Sequence, residues 1–497
     1  MEEITHSHLQ IDIYAFSAFI GYLILVIGTG IYATRFSSAG ISEFFIGGRK
    51  MNRFVVALSA VVSGRSAWLL LGVTGMAYKI GAAALWACVG YITVEFFLFL
   101  FYAKRLRQFS EKYDCITVPD FYAARFDDKN GKLRLLLSII IILFMVSYVS
   151  AQFVGGGKAF AAGFQIDQTM GIFITAAIVL IYTILGGFLA VSLTDMFQAI
   201  FMILALVILP VIAIADLNGW DMVVTQLNTI DISLIDPFSL TVGVGIGFLG
   251  IGLGSPGNPH IIARYMSISD PKQLKYSAIV GTIWNIVMAA GAIFIGLAGR
   301  AYFPDVNMLP AADTENLYPV LAQQHLNPVL FGIVIASIFA AIMSTADSQL
   351  LVAASSIVRD IYQKIIKKDK EIDNRRLVMY SRITVFILVI FALITGLIAS
   401  DLVFWLVLFA WAGLGAALGP TSILALYWKN TTRSGVIAGL IAGTLTTIVW
   451  YYVPFLKTMM YELVPAFIIG ALVTIIVSKI SSKPVNVDQM FDAMKNS

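Results

Sequence analysis

The stretch from Val61 to Gly75, VVSGRSAWLLLGVTG, is apolar enough to lie in a bilayer, yet Ser63, Gly64, Arg65 and Ser66 interrupt it. An arginine near the bilayer centre costs about 2.5 to 3.5 kcal/mol on insertion scales, so such a residue usually has a function or an anionic partner. The stretch therefore predicts a broken membrane helix that carries a buried cation at the break.

The composition around this stretch is that of a polytopic membrane protein. Of 497 residues, 59% are hydrophobic and 12% are charged, a balance that a water-soluble protein of this length would not need. A membrane helix needs roughly 20 mostly apolar residues, and thirteen segments meet this condition. They are predicted at residues 12–34, 54–80, 84–104, 133–153, 169–189, 194–215, 240–256, 274–299, 329–357, 379–399, 402–428, 434–453 and 460–481.

The lysines and arginines predict the orientation of these segments, because short loops rich in them stay in the cytoplasm. If the N-terminus is outside, only Lys79, Lys158, Arg300 and Lys457 of the 33 basic residues face outwards, and Arg65 lies in the membrane. The first segment follows an acidic stretch and lacks a small-residue cleavage site, so we expect it to be retained. We predict a multi-pass protein of the cell membrane with a cytoplasmic C-terminus.

The whole chain, residues 1–497, is expected to form one transport domain. Its core helices are predicted at about 54–428, with an extra N-terminal helix at 12–34 and two C-terminal helices at 434–481. Polar residues of the core are scattered singly, without a base near a nucleophile, so no enzyme activity is expected. The net charge of +4 comes from the internal loops and indicates no nucleic-acid partner.

A second interruption lies between Gly243 and His260, GVGIGFLGIGLGSPGNPH, where glycines and prolines leave backbone groups unpaired. Unpaired backbone at membrane depth is tolerated only where protein or a water-filled cavity satisfies it. A pair of interrupted helices indicates the binding site of a transporter. The alternative is that the small residues only allow close helix packing.

Six ordered blocks of the sequence resemble one known family, the solute:sodium symporters, and among its branches the sodium/proline symporters most. The blocks are EFFIGGRKMNRFVVALSA (43–60), TVPDFYAARF (117–126), LGGFLAVSLTDMFQA (185–199), NPHIIARYM (258–266), MSTADSQLLVAASSIVRDIY (343–362) and FAWAGLGAALGP (409–420). The resemblance implies an all-α membrane protein of about 13 transmembrane helices. It also implies a leucine-transporter-type core, a 5+5 inverted repeat with two broken helices.

The resemblance further implies a secondary active transporter that couples a small organic solute to sodium by symport, with proline or another amino acid as the solute. The partners expected are that solute, the sodium ion and the lipid bilayer, with no metal other than sodium. The alternative function is a sodium-independent transporter, or a transporter-like sensor, in which Arg65 takes the place of the coupling ion.

The sodium site implied by the resemblance combines two hydroxyls with backbone carbonyls. Ser344 and Thr345 are adjacent hydroxyls on an otherwise apolar helix, and hard cations prefer oxygen ligands. In the family the matching hydroxyls hold sodium together with carbonyls that here belong to Val62, Arg65 and Ala341. The alternative is that both hydroxyls bond back to carbonyls of their own helix.

Two acidic residues, Asp195 and Asp347, are candidates for sodium coupling, because carboxylates at membrane depth are functional candidates by default. In the family the residue that matches Asp195 is tied to coupling. Asp347 is expected to join a cytoplasm-facing network or to pair with Arg65. A purely structural ion pair or helix cap is the alternative for both residues.

The substrate pocket is expected to involve both interruptions. Trp68, Tyr148 and Pro259 keep the family's residue type, whereas Ile251 and Ser255 replace an aromatic pair. The predicted substrate-binding residues are Ser63, Gly64, Arg65, Ser66, Trp68, Tyr148, Ile251, Ser255 and Pro259.

The sequence departs from the family most clearly at the first interruption, where an aspartate and a methionine are commonly found and this chain has Gly64 and Arg65. Three interpretations of Arg65 remain open. It points away from the ion and pairs with Asp347 or Asp195, or it replaces sodium as a built-in cation, or its planar fork binds a substrate carboxylate.

Overall fold

The computed structural model describes residues 12–37, 40–368, 372–399, 402–482 and 487–494. Regular structure in these ranges is helical, apart from one isolated β-bridge between Met51 and Ile268. The expectation that the N-terminus is outside the membrane concerns residues 1–11, which lie outside the described ranges.

Each of the thirteen predicted segments corresponds to a helix or to a broken helix. Ten helices in the described part of the chain are long and apolar enough to cross a membrane, and shorter apolar helices supply α5 and halves of the two broken helices. The bounds are α1 Ile13–Ser37, α2a Arg53–Ser63, α2b 68–80, α3 85–112, α4 Lys132–Phe164, α5 Gln168–Leu185, α6 Phe188–Asp216, α7a Val242–Gly250, α7b Pro259–Ser267, α8 Leu274–Tyr302, α9 Pro328–Ile366, α10 Asn374–Ile398, α11 Val403–Tyr427, α12 Arg433–Tyr452 and α13 Leu463–Ile480. Short helices in the connections are Ile41–Ile46, Val118–Arg125, Trp220–Ile230, Leu317–His325 and Pro454–Met459, and Val487–Ala493 follows α13.

Helices α9 and α11 form the centre of the bundle. In each of them, 83% of the residues in the apolar stretch are buried inside the protein, the largest share among the candidate spans of the described ranges. Helix α9 packs against α1, α4 and α6, whereas α11 packs against α4, α12, α13 and the interruption in α7. The helix that carries Ser344 and Thr345 therefore lies away from lipid, where polar side chains can have a function.

The first break occurs where the sequence predicts it. Helix α2a ends at Ser63, a two-residue turn follows, and Ser66 adopts a left-handed φ of 48° before α2b begins. The amides exposed by the break are satisfied locally: the Ala67 N–H donates to Oε1 of Gln152 at 3.0 Å, and the Trp68 N–H donates to Oγ of Ser66 at 3.1 Å. The break is stable at membrane depth because α4 supplies a polar partner.

The second break is also where the sequence predicts it. Helix α7a passes into a tighter helical stretch, Asn258 is extended, and α7b then begins with a proline. The Gly254 carbonyl accepts a hydrogen bond from the Asn258 side chain at 2.8 Å, and the Ile251 carbonyl accepts one from Nε1 of Trp411 at 2.8 Å. Side chains of α7 and α11 thus replace the missing helical hydrogen bonds.

A buried ionic cluster holds the connection between α8 and α9 against the ends of α4 and α11. Nζ of Lys158 lies 2.6 Å from a carboxylate oxygen of both Asp313 and Glu315. Glu315 also accepts hydrogen bonds from the N–H groups of Val403 and Phe404, at 2.9 and 2.8 Å, and so caps α11. Burial raises the pKa of the Glu315 carboxyl, and Lys158 opposes that shift.

Candidate solute and ion sites

Arg65, the cation at the first break, is paired with Glu95, a carboxylate that the sequence analysis did not predict as its partner. Nη2 of Arg65 forms an ion pair with Oε1 of Glu95 on α3, and Nε donates to the Val61 carbonyl at 3.3 Å. The guanidinium also lies over the ring of Tyr91, with Cζ 3.8 Å from the ring centroid. Arg65 and Glu95 are only 1% and 3% exposed, so each charge depends on the other for compensation.

Glu95 connects the two interruptions. Its Oε1 accepts a hydrogen bond from Ser255 in the second break at 3.3 Å, and its Oε2 accepts one from Asn285 on α8 at 3.0 Å. A single carboxylate therefore joins the first break, α3, the second break and α8. Any movement of one broken helix against the other must strain or rearrange these contacts.

A narrow cavity of about 10 Å³ lies between the two breaks, about the room that one water molecule needs. Four of its residues are aromatic, one is cationic, and the rest are apolar. The lining residues are Gly64, Arg65, Trp68, Tyr91, Tyr148, Ile251, Val407, Leu408 and Trp411. A solute as large as an amino acid can occupy this space only if the side chains move apart.

The structure brings five of the nine predicted substrate residues to this cavity, namely Gly64, Arg65, Trp68, Tyr148 and Ile251. The other four are not among its lining residues. Ser63 faces Asp195 and Ser348, Ser66 caps α2b, Ser255 bonds to Glu95, and Pro259 begins α7b and lines a separate cavity beside Arg264.

Sequence reasoning missed Glu95, Tyr91 and Trp411, together with the two aliphatic residues of α11. A signal was available for Glu95, because it is an acidic residue inside the apolar run of the third segment, and membrane carboxylates commonly pair with nearby cations. No comparable signal marks Trp411, whose position follows from how α11 packs against the second break.

The structure corrects one interpretation of Arg65. Its carboxylate partner is Glu95 rather than Asp347 or Asp195. The polar contacts and the ring contact of the guanidinium are made to α2a and α3, whereas Ser344 and Thr345 lie on α9. The guanidinium of Arg65 thus lies against α3, where Glu95 neutralises it, and Arg65 also lines the cavity.

The predicted sodium ligands on α9 are buried side by side. Oγ of Ser344 donates to the Ala341 carbonyl at 3.1 Å, as a helical serine commonly does. The hydroxyl of Thr345 differs, since it is fully buried and has no hydrogen-bond partner among the described residues. A buried hydroxyl without a partner is costly, and a hard cation would satisfy it.

The candidate carbonyls at the first break are engaged in the backbone. The Val62 carbonyl accepts from the Arg65 N–H, and the Arg65 carbonyl accepts from the Leu69 N–H, both at 3.0 Å. Each carbonyl oxygen has a second lone pair that can bind a cation. Helix α2a approaches α9 at Ser63, whose hydroxyl lies 3.3 Å from that of Ser348.

Asp195 is the centre of a buried polar cluster. Its Oδ2 accepts hydrogen bonds from Ser59 at 2.6 Å and from Ser63 at 3.3 Å, and it lies 3.3 Å from Nη2 of Arg264 on α7b. The Arg264 guanidinium also contacts Ser348 of α9. Asp195 therefore ties α6 to α2a, to α7b and, through Arg264, to α9.

Asp347 is fully buried next to this cluster. Its Oδ1 accepts a hydrogen bond from Ser348 at 3.1 Å, while Oδ2 has no partner within the described ranges. Ser348 links the two carboxylates, because it donates to Asp347 and contacts Arg264, the ion-pair partner of Asp195. The two carboxylates thus border the same space between α6 and α9 as Ser348.

Gly254 tests how tightly the second break packs. A Cβ at this position would overlap the indole of Trp411, which the Ile251 carbonyl holds in place. We expect Gly254→Ala to lower the free energy of unfolding by about 1 to 3 kcal/mol, the usual cost of overpacking, and to lower transport. Thermal unfolding measures the first effect, and Gly245→Ala is the control because its Cβ meets no atom within 4 Å.

The model of the sodium:solute symporter family matches residues 44–443. The sodium/proline symporters of Staphylococcus aureus strains JH9 and JH1 are each 37% identical to this chain over 479 residues, covering 93% of it and 92% of the relative.

Solved structures show the same fold. A Na⁺-coupled sialic acid symporter in a substrate-bound outward-open state superposes with a TM-score of 0.80 and 19% identity, covering 96% of this chain and 99% of the other. Mhp1, a nucleobase-cation-symport-1 family transporter, superposes with a TM-score of 0.57 and 12% identity, covering 92% and 100%. The arrangement is the leucine-transporter-type fold that the sequence predicts, and the chain belongs to the sodium:solute symporter family.

Proposed function

We propose that this protein is a sodium-coupled symporter of a small amino acid, with L-proline as the first candidate. The single observation that carries the proposal is the cavity between two broken helices, because interrupted helices at membrane depth form the binding sites of such transporters. The names of the relatives at 37% identity support proline.

Sodium is assigned to the oxygen atoms between α2a and α9. Its ligands would be the hydroxyls of Ser344 and Thr345 with the carbonyls of Val62, Arg65 and Ala341. The partnerless hydroxyl of Thr345 supports this assignment. The Arg65 guanidinium is compatible with it, because Glu95 neutralises that charge on the side of α3.

Asp195 and Asp347 are assigned to coupling. The contacts of Asp195 reach α2a directly and α9 through Arg264, so a change in the position of one helix can reach the other. Asp347 adds a second buried carboxylate on α9, next to the Ser348 that Arg264 contacts. These residues belong to one membrane domain that we place in the cell membrane, with the N-terminus outside and the C-terminus in the cytoplasm.

Transport by the purified protein in proteoliposomes tests the proposal. Uptake of radiolabelled L-proline is expected to be faster with an inward sodium gradient than with choline replacing sodium. With the gradient, proline inside the vesicles is expected to rise above the external concentration. Equal uptake in the two buffers would contradict sodium coupling. Sodium-driven uptake of a different amino acid that excludes proline would contradict the assigned solute alone.

Thr345→Val tests the ion site, since valine keeps the shape of threonine and removes the hydroxyl. We expect the sodium concentration for half-maximal uptake to rise at least about tenfold, corresponding to ~1.4 kcal/mol of lost binding. Thr447→Val is the matched control, because that hydroxyl is also buried but bonds to the Gly443 carbonyl within α12. An unchanged sodium requirement in Thr345→Val would remove this residue from the site.

A further inference from the structure

The cavity between the breaks presents hydrogen-bond donors that the protein itself does not use. Two of the guanidinium nitrogens of Arg65 make hydrogen bonds, whereas Nη1 makes none to the described residues. The buried indole N–H of Trp68 also lacks a partner there. The hydroxyl of Tyr91 has no nitrogen or oxygen partner among the described residues, and its polar neighbour is the weakly polar thiol of Cys88.

These groups define the chemistry of a ligand. A guanidinium and an indole N–H can donate hydrogen bonds but cannot accept them, and a phenol can do both. Donors on the wall of a buried cavity therefore call for an acceptor with several lone pairs. A carboxylate fits best, because its two oxygens can accept from Nη1 of Arg65 and from the indole N–H of Trp68, and hydrogen bonds between charged groups are the strong ones.

The wall carries no net charge, in spite of these donors. Glu95 compensates Arg65 in the buried pair, and Ser255 and Asn285 hold the carboxylate in place. A lone anion that entered the cavity would leave one uncompensated negative charge beside Glu95. Burying a charge that has no counter-charge is costly, so such a ligand would be rejected.

We propose that Glu95 determines the charge selectivity of the solute site: by neutralising Arg65 it admits a carboxylate only when the solute carries its own cation. This inference rests on the proposed function in one respect, namely that the cavity binds the transported solute. The solute class that satisfies both conditions is a compact zwitterion.

The aromatic residues of the cavity provide a place for the ammonium group of such a solute. The rings of Trp68, Tyr148 and Trp411 line the cavity, and cations are attracted to the faces of aromatic rings. The remaining ring, Tyr91, already lies under the guanidinium. The carboxylate would thus approach Arg65 and Trp68, while the ammonium lies towards the other rings.

Three ligands with the same five-membered ring separate the charges: L-proline is a zwitterion, cyclopentanecarboxylate an anion and pyrrolidine a cation. Binding to the full-length protein in detergent, at constant sodium, is measured by thermal shift and by inhibition of proline uptake. The wild type is expected to bind proline at least about tenfold more tightly than either single-charge analogue.

Two substitutions change the charge of the wall in opposite directions. Glu95→Gln leaves the wall positive, and we expect it to bind cyclopentanecarboxylate at least about tenfold more tightly than the wild type does. Arg65→Gln leaves the wall negative and is expected to gain pyrrolidine binding to a similar degree. Glu111→Gln is the control, because Glu111 also pairs with an arginine, at 2.8 Å, but its side chain is 60% exposed.

The outcomes separate the two proposals. If the wild type takes up no proline but Glu95→Gln gains binding of cyclopentanecarboxylate, the assigned solute is wrong and the role of Glu95 in charge selectivity stands. If proline uptake is sodium-driven but both variants keep the wild-type order of preference, the role of Glu95 is overturned. A lack of response to all three ligands in every variant also overturns it. If Glu95→Gln does not fold, Arg65→Gln decides alone.

Discussion

Asp195→Asn is expected to lower sodium-driven uptake at least about a hundredfold, which corresponds to roughly 2.7 kcal/mol in the barrier. The carboxylate binds Ser59 and Ser63 of α2a and pairs with Arg264 of α7b, so it connects both broken helices to α6. An amide keeps the size of the side chain but leaves the buried Arg264 guanidinium without its counter-charge. Initial rates of proline uptake in proteoliposomes measure the effect.

The control for this variant is Asp167→Asn. Asp167 is exposed and caps α5 by accepting a hydrogen bond from the Met170 N–H at 3.1 Å. We expect proline uptake by this variant to stay within about twofold of the wild type, because loss of an exposed helix cap lowers the stability of that helix by only ~1 kcal/mol. Uptake by Asp195→Asn at a rate near that of this control would show that the cluster is not needed for coupling.

Lys158→Met is expected to lower the free energy of unfolding by about 3 to 5 kcal/mol, because it removes one partner from a buried ionic cluster. Without Lys158, Glu315 keeps its hydrogen bonds from α11 but loses its counter-charge, and Glu315 is only 1% exposed. Joint replacement, Lys158→Met with Glu315→Gln, is expected to recover most of the loss. Thermal unfolding in detergent measures each variant.

The pH dependence of Lys158→Met gives a second readout of the same cluster. Burial already raises the pKa of Glu315, and loss of Lys158 raises it further. A carboxyl with a raised pKa holds its proton in the folded state at a pH where the unfolded chain has lost it. The variant should therefore become more stable, relative to the wild type, as pH falls from about 8 to about 5.

Lys429→Met is the control for both measurements, because its ion pair with Asp488 is exposed at the surface, with exposed fractions of 52% and 84%. Exposed pairs contribute about 0 to 1 kcal/mol, so little change is expected. A Lys158→Met protein as stable as this control, at every pH, would mean that the cluster does not hold α11 in place.

The sequence was sufficient to predict the helices and both breaks, for a physical reason. Apolar runs of membrane length and the glycine, proline and serine residues that interrupt them act locally, within the helix that contains them. Ser63 and Asn258 accordingly mark the ends of helical halves in the structure.

The partners of the polar side chains could not be predicted in the same way, because they depend on how distant helices pack. Arg65 pairs with a residue 30 positions away on α3, and Asp195 pairs with Arg264 on α7b. Trp411 reaches the cavity from α11, 160 residues from the carbonyl that it binds. Sequence spacing does not encode these contacts, although an intramembrane Glu95 was a usable signal.

The most direct test of a solute site between the two breaks is the protection from chemical labelling of a cysteine placed at the second break. In a protein with Cys88→Ala and Cys115→Ala, Ile251→Cys lines the cavity, and Ser239→Cys in the exposed connection before α7a serves as the control. We expect proline and sodium together to slow maleimide labelling of Ile251→Cys and to leave labelling of Ser239→Cys unaffected. Labelling of Ile251→Cys at the same rate with and without solute and ion would contradict a solute site between the two broken helices.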